Sequence, residues 1–88
     1  MWIKTQEGFS LVNSKRTAII SMADRSDETC EVRATVDDMV ITLGNYPDRN
    51  RAADVLAEIQ DGLIHKAVSF DMPSEQGSVP LLQPNPSL

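Results

Sequence analysis

The apolar residues of this chain change their spacing at Pro47. Before it, Cys30-Glu31-Val32-Arg33-Ala34-Thr35-Val36 alternates apolar and polar without a break, and Met39-Val40-Ile41-Thr42-Leu43 sets Met39, Ile41 and Leu43 on one side. Period two demands strands with one covered face. After it, Ala52, Val55, Leu56, Ile59 and Leu63 recur at helical spacing, with Asp54, Glu58, Asp61 and His65 opposite. A chain of 88 residues that holds both periods must lay the helix stripe on the strands' apolar face. The pattern therefore predicts an α+β fold: an antiparallel sheet of four or five strands with one amphipathic helix packed on one face.

Turn residues place the remaining elements. Trp2-Ile3-Lys4-Thr5 and Phe9-Ser10-Leu11-Val12 flank Gln6-Glu7-Gly8, which reads as a hairpin with glycine where a positive φ is needed. Ala18-Ile19-Ile20-Ser21-Met22 is a third apolar run, closed by Asp24-Arg25-Ser26-Asp27. Asp37-Asp38 is too short for a parallel crossover, so the strands around it pair antiparallel. Asp48 suits a helix N-cap, since its carboxylate can accept the first free amides, and Gly62 weakens the helix near an end at His65. Val68-Ser69-Phe70-Asp71-Met72 alternates once more before Pro73 stops it. The expected organisation is a single α+β domain over 1–72 and a Pro-rich C-terminal extension over 73–88, with four of the five prolines and the apolar patch Val79-Pro80-Leu81-Leu82.

The net charge of −5 is unevenly spread. Residues 1–36 balance five acids with five bases, whereas 37–88 set eight acids against Arg49, Arg51 and Lys66. Duplex binding draws most of its non-specific affinity from a basic stripe, so a nucleic-acid partner is not expected. No run reaches the length of a membrane span, and the first residues lack the apolar core of a secretory signal. With Cys30 as the single cysteine, the expected setting is a reducing cytoplasm.

Catalytic and metal chemistry find little to work with. Cys30 and His65 are one thiol and one imidazole, the minimum for a cysteine nucleophile. Cys30, however, shares parity with Val32 and Val36, which predicts an inward and inert thiol, and His65 lies on the polar helix face where the dipole accounts for it. Asp24, Asp27 and Glu28, and Asp37 with Asp38, are explained by turn chemistry, and the first cluster lacks the spacing of a calcium loop. One histidine and one cysteine do not make a zinc site, so no cofactor or metal is expected. A small hydrolase or transferase using Cys30 or the clustered acidic residues is the alternative to a binding role.

Several segments together carry a resemblance. Met1-Trp2-Ile3-Lys4-Thr5-Gln6 with Gly8, Leu11-Val12-Asn13, Ile41-Thr42-Leu43-Gly44 with Tyr46, Val55-Leu56 with Ile59, and Phe70-Asp71-Met72-Pro73 are similar to small uncharacterised proteins of Gram-positive bacteria and their phages. The resemblance spans about residues 1–73 and implies an intracellular domain of strands followed by one helix, often in mobile-element genes. It brings no activity or catalytic residue.

The function expected is thus a non-enzymatic protein-interaction or accessory module. Its candidate contacts are Arg49 and Arg51 with Lys15 and Arg16 as a basic surface, the acidic helix face Asp54, Glu58 and Asp61, and Val79, Leu81 and Leu82 of the tail. Arg51 is expected to pair with Asp54 three residues on. Trp2 is expected to pack in or beside the core. A core of about seventy residues is marginal alone, so a homodimer mediated by the tail is expected.

Overall fold

The structure is a computed structural model that describes residues 1–74. In chain order it contains β1 (Trp2–Lys4), β2 (Leu11–Asn13), a 3-10 turn (Ser14–Arg16), β3 (Thr17–Asp24), β4 (Cys30–Val36), β5 (Met39–Tyr46), α1 (Arg49–Ile64) and β6 (Ser69–Asp71). The α+β class with one helix is as the periodicity predicts. The sheet is not: the strands form two sheets of three, ordered β2-β1-β6 and β3-β4-β5, in place of one sheet of four or five. The smaller sheet is also mixed, because β6 joins β1 in parallel, with Ile3 opposite Phe70. Alternation records which face of a strand is covered and carries no information on its neighbour, so the division was invisible in the sequence.

The meander β3-β4-β5 follows from its turns. Asp27 accepts hydrogen bonds from the Thr29 amide at 3.1 Å and from its hydroxyl, and Glu28 takes the left-handed conformation that completes the reversal. Asp37, also left-handed, closes the β4–β5 hairpin. Cys30, Val32 and Ala34 are buried on the inner face of β4 as the alternation requires.

Helix α1 lies against all three strands of the meander. Asp48 caps it, accepting from the Arg51 amide at 2.8 Å. Its far end closes in a Schellman motif: the Ala67 amide reaches the Gly62 carbonyl at 2.9 Å and the Lys66 amide the Leu63 carbonyl at 3.2 Å, with Lys66 at φ 57 where glycine is usual. Gly62 therefore sits inside the helix; a Cβ there would lie 3.3 Å from the Met1 sulfur. Ala52, Val55 and Ile59 are buried, and with Ile3, Val12, Val32, Leu43, Tyr46 and Met72 they form one core shared by both sheets.

Two devices hold the sheets together at β5. A bulge makes Leu43 an extra residue between the pairs Val32–Gly44 and Arg33–Thr42, and Leu43 is buried as a result. Gln6 then acts as a strand partner. Its amide donates to the Leu43 carbonyl at 2.8 Å, its side-chain oxygen accepts from the Asn45 amide at 2.9 Å and its side-chain nitrogen donates to the Asn45 carbonyl at 3.1 Å. Val79, Leu81 and Leu82, and with them the tail-mediated dimer, lie outside the described residues.

Candidate interaction surface

Among the described residues, the open edge of the meander is β3. Its middle, Ala18-Ile19-Ile20-Ser21-Met22-Ala23, contains no charged residue and no proline, and among the described residues its only backbone partner is β4. An edge strand of this composition lacks the lysines and prolines that normally discourage pairing. One mild irregularity exists, a bulge at Ala18 that leaves Ile19–Asp24 as the flat run. The opposite edge differs, because Gln6 already occupies the main-chain groups of Asn45 on β5.

Apolar surface borders that edge on both faces. Ile19 on the outer face is 57% exposed. On the inner face, Ile20, Leu56, Ile59, Gln60 and Leu63 line a shallow groove of about 300 Å³ between β3 and α1. The helical stripe is wider than the sheet covers: Leu63, expected in the core, is 45% exposed, and Leu56 is only partly buried. Sequence reasoning placed the stripe correctly and missed this overhang, since periodicity gives its direction but not where the supporting sheet ends.

The charged candidates are dispersed. Arg49 bonds to Asp24 at 2.6 Å at the last residue of β3, whereas Lys15 and Arg16 precede its first residue, about 23 Å away at the strand rise. The basic surface of Lys15, Arg16, Arg49 and Arg51 therefore does not assemble. Arg51 reaches Glu58 at 3.7 Å in place of Asp54 and lies 5.7 Å from the centre of the Tyr46 ring. Asp54, Glu58 and Asp61 are exposed along α1, but Glu58 is engaged by Arg51 and Asp61 by His65 at 3.3 Å.

Trp2 is 48% exposed, on the face of β1 opposite buried Ile3. It borders a second hollow of about 570 Å³ that includes Asn13, Lys15, Leu63, Lys66 and Val68.

Cys30 and His65 are far apart. Cys30 pairs with Asp24 and Tyr46 at the start of β4, by the helix N-terminus where Asp24 meets Arg49, while His65 caps the other end of the sixteen-residue helix, about 24 Å along its axis. Burial, reinforced by the Asp24 carboxylate, raises the Cys30 thiol above its ordinary pKa, which opposes nucleophile formation. Asp24 and Glu28 border a polar hollow with Asp48 and Arg49, and no cluster of three or more metal-ligating side chains occurs among the described residues.

One buried carboxylate was not foreseen. Glu31 points to the outer face of β4 yet is 6% exposed, because Arg25 and Arg33 fold over it and Thr42 donates to it at 3.2 Å. The Arg33 hydrogen bond, at 2.8 Å, is the main cause of a pKa held below the usual carboxylate range. This network is fully paired and tightens the meander. No described helix is long and apolar enough to cross a membrane. No family model, curated protein or solved structure matches the chain.

Proposed function

We propose that this chain is a non-enzymatic protein-interaction module that binds by strand addition at β3. The observation that carries the reading is the uncharged, open β3 edge bordered by Ile19 on one face and the Ile20–Leu56–Leu63 groove on the other. Main-chain groups along such an edge supply affinity, and alternate side-chain positions supply selectivity. The separation of Cys30 from His65 removes the simplest catalytic pair and adds weight to the binding role. An accessory factor in the cytoplasm, of the type found in phage and mobile-element genes, is the setting the resemblance implies.

A photo-crosslinking side chain placed at Ser21, on the exposed side of β3, tests the reading in cells expressing the full chain. A discrete adduct from Ser21, and none from the same probe at Thr42 on β5, is expected. Equal labelling from both positions, or none from Ser21, removes β3 as the binding edge.

A further inference from the structure

We infer that the hollow bordered by Trp2 binds a small organic anion with a flat apolar body, at a site separate from the β3 edge and independent of what that edge holds.

The placement of unpaired charge carries the inference. All five arginines of the chain face a carboxylate within 4.0 Å. Among the described residues, Lys4, Lys15 and Lys66 are in no such pair. Two of these three lysines, Lys15 and Lys66, line the same hollow, and no described aspartate or glutamate lines it with them. The chain holds thirteen acids against eight bases, so a concavity with two unpaired cations and no acid is the place where its field turns positive. The nearby helix end does little to cancel that field. The Asp61, Gly62 and Leu63 carbonyls already accept from the His65, Ala67 and Lys66 amides, which leaves few bare oxygens of the α1 terminus to repel an anion.

The rest of the lining suits an apolar body. Trp2 and Leu63 are half-exposed and Val68 is more so, which leaves an indole and two aliphatic side chains open to a planar ring. The frame is fixed by main-chain bonds between three stretches of chain. The Trp2 amide donates to the Val68 carbonyl, the Ser14 amide to the Met1 carbonyl and the Ala67 amide to the Gly62 carbonyl, each at 2.9 Å. A frame tied in this way costs little to order when a ligand arrives. The hollow's volume of about 570 Å³ falls within the range of small-molecule sites, about 300–1,000 Å³. Rings against Trp2, Leu63 and Val68 would place an acidic head by the ammonium groups of Lys15 and Lys66, which act on it as point charges.

Anilinonaphthalene sulfonate is the probe, and Trp2, the only tryptophan of the chain, is the reporter. Titrated into the full-length protein, the probe should quench Trp2 emission along a saturable one-to-one curve. The backbone amide shifts it causes should centre on Asn13, Lys15, Lys66 and Val68, and not on Ile20 or Gln60 in the β3 groove. Lys15→Gln combined with Lys66→Gln should weaken binding by about fivefold or more, as two partly screened ion pairs allow. The same double substitution should leave binding of anilinonaphthalene, the rings without the sulfonate, unchanged. Arg49→Gln, which removes one positive charge at the far end of α1, should leave both affinities unchanged. Sulfonate binding that survives the double lysine variant overturns the inference, as does an equal loss for the charged and neutral probes. Shifts confined to the β3 groove, or no saturable binding, overturn it too, and either result leaves the β3 reading to its own crosslinking test.

Discussion

The Tyr46 hydroxyl donates a hydrogen bond to the Pro73 carbonyl oxygen at 2.9 Å, tying the end of β5 to the chain just after β6. The ring reaches that carbonyl by lying over Gly44, two residues earlier on the same face of β5. A Cβ at position 44 would stand 2.7 Å from the hydroxyl oxygen and 3.0 Å from two ring carbons. Glycine is required there by the aromatic ring, not by the backbone angle. Gly44→Ala is therefore expected to destabilise the fold by about 1–3 kcal/mol through overpacking, measured as a lower urea midpoint with an unchanged slope.

Burial pushes the Tyr46 phenol up to about 12. The raised value means that the folded state favours the neutral form. Its contribution is complete below the unfolded value near 10 and is lost as pH rises from about 10 toward 12. Tyr46→Phe should be less stable at neutral pH by about 1 kcal/mol for the lost hydrogen bond. Its stability should fall less than the parent's across that alkaline window. Equal slopes for the two proteins would show that the phenol ionises freely in the folded state.

Glu31 predicts the opposite end of the pH scale. Its folded pKa is depressed, chiefly by Arg33, so its stabilisation is present above the unfolded value of about 4.3 and disappears as pH falls through the lower folded value. Glu31→Gln should cost about 1–2 kcal/mol at neutrality. The gap between variant and parent should narrow steadily below about pH 4, as chemical denaturation at a series of acidic pH values would register.

Lys66 occupies the left-handed closing position of the α1 Schellman motif with a side chain that disfavours it. Lys66→Gly should stabilise the protein by roughly 0.5–1 kcal/mol, whereas Lys66→Ala, which keeps a Cβ, should bring no such gain. Thermal melts of the pair separate backbone strain from loss of the lysine charge.

Native thiol labelling addresses the catalytic alternative directly. Cys30 is 1% exposed and its thiol is raised, so it should react far more slowly in the folded chain than in urea. Fast native labelling would restore Cys30 as a candidate nucleophile.

The sequence made some of these features readable and hid others for definite reasons. The inward parity of Cys30, Val32 and Ala34 was legible because a half-buried strand has period two, and the Asp48 cap because a helix start needs an acceptor. Glu31 read as a solvated residue, since its partners Arg25, Arg33 and Thr42 converge only after two hairpins have formed. The β3 edge was hidden in plain view: Ala18–Ala23 is conspicuously uncharged, but an uncharged run equally suits a central strand. Only the pairing order separates those two cases.

The parallel ladder between β1 and β6 also sets an order of assembly. During synthesis the meander and α1 can close on contacts near in sequence, but Trp2, Ile3 and Lys4 must wait for Ser69, Phe70 and Asp71 to emerge before their second neighbour exists. A ribosome-bound chain cut short of β6 would thus carry a finished helical layer and an N-terminal hairpin with one bare flank. Among the described residues, the small sheet is the element whose strands are farthest apart in the chain, and its third strand is the last to be made.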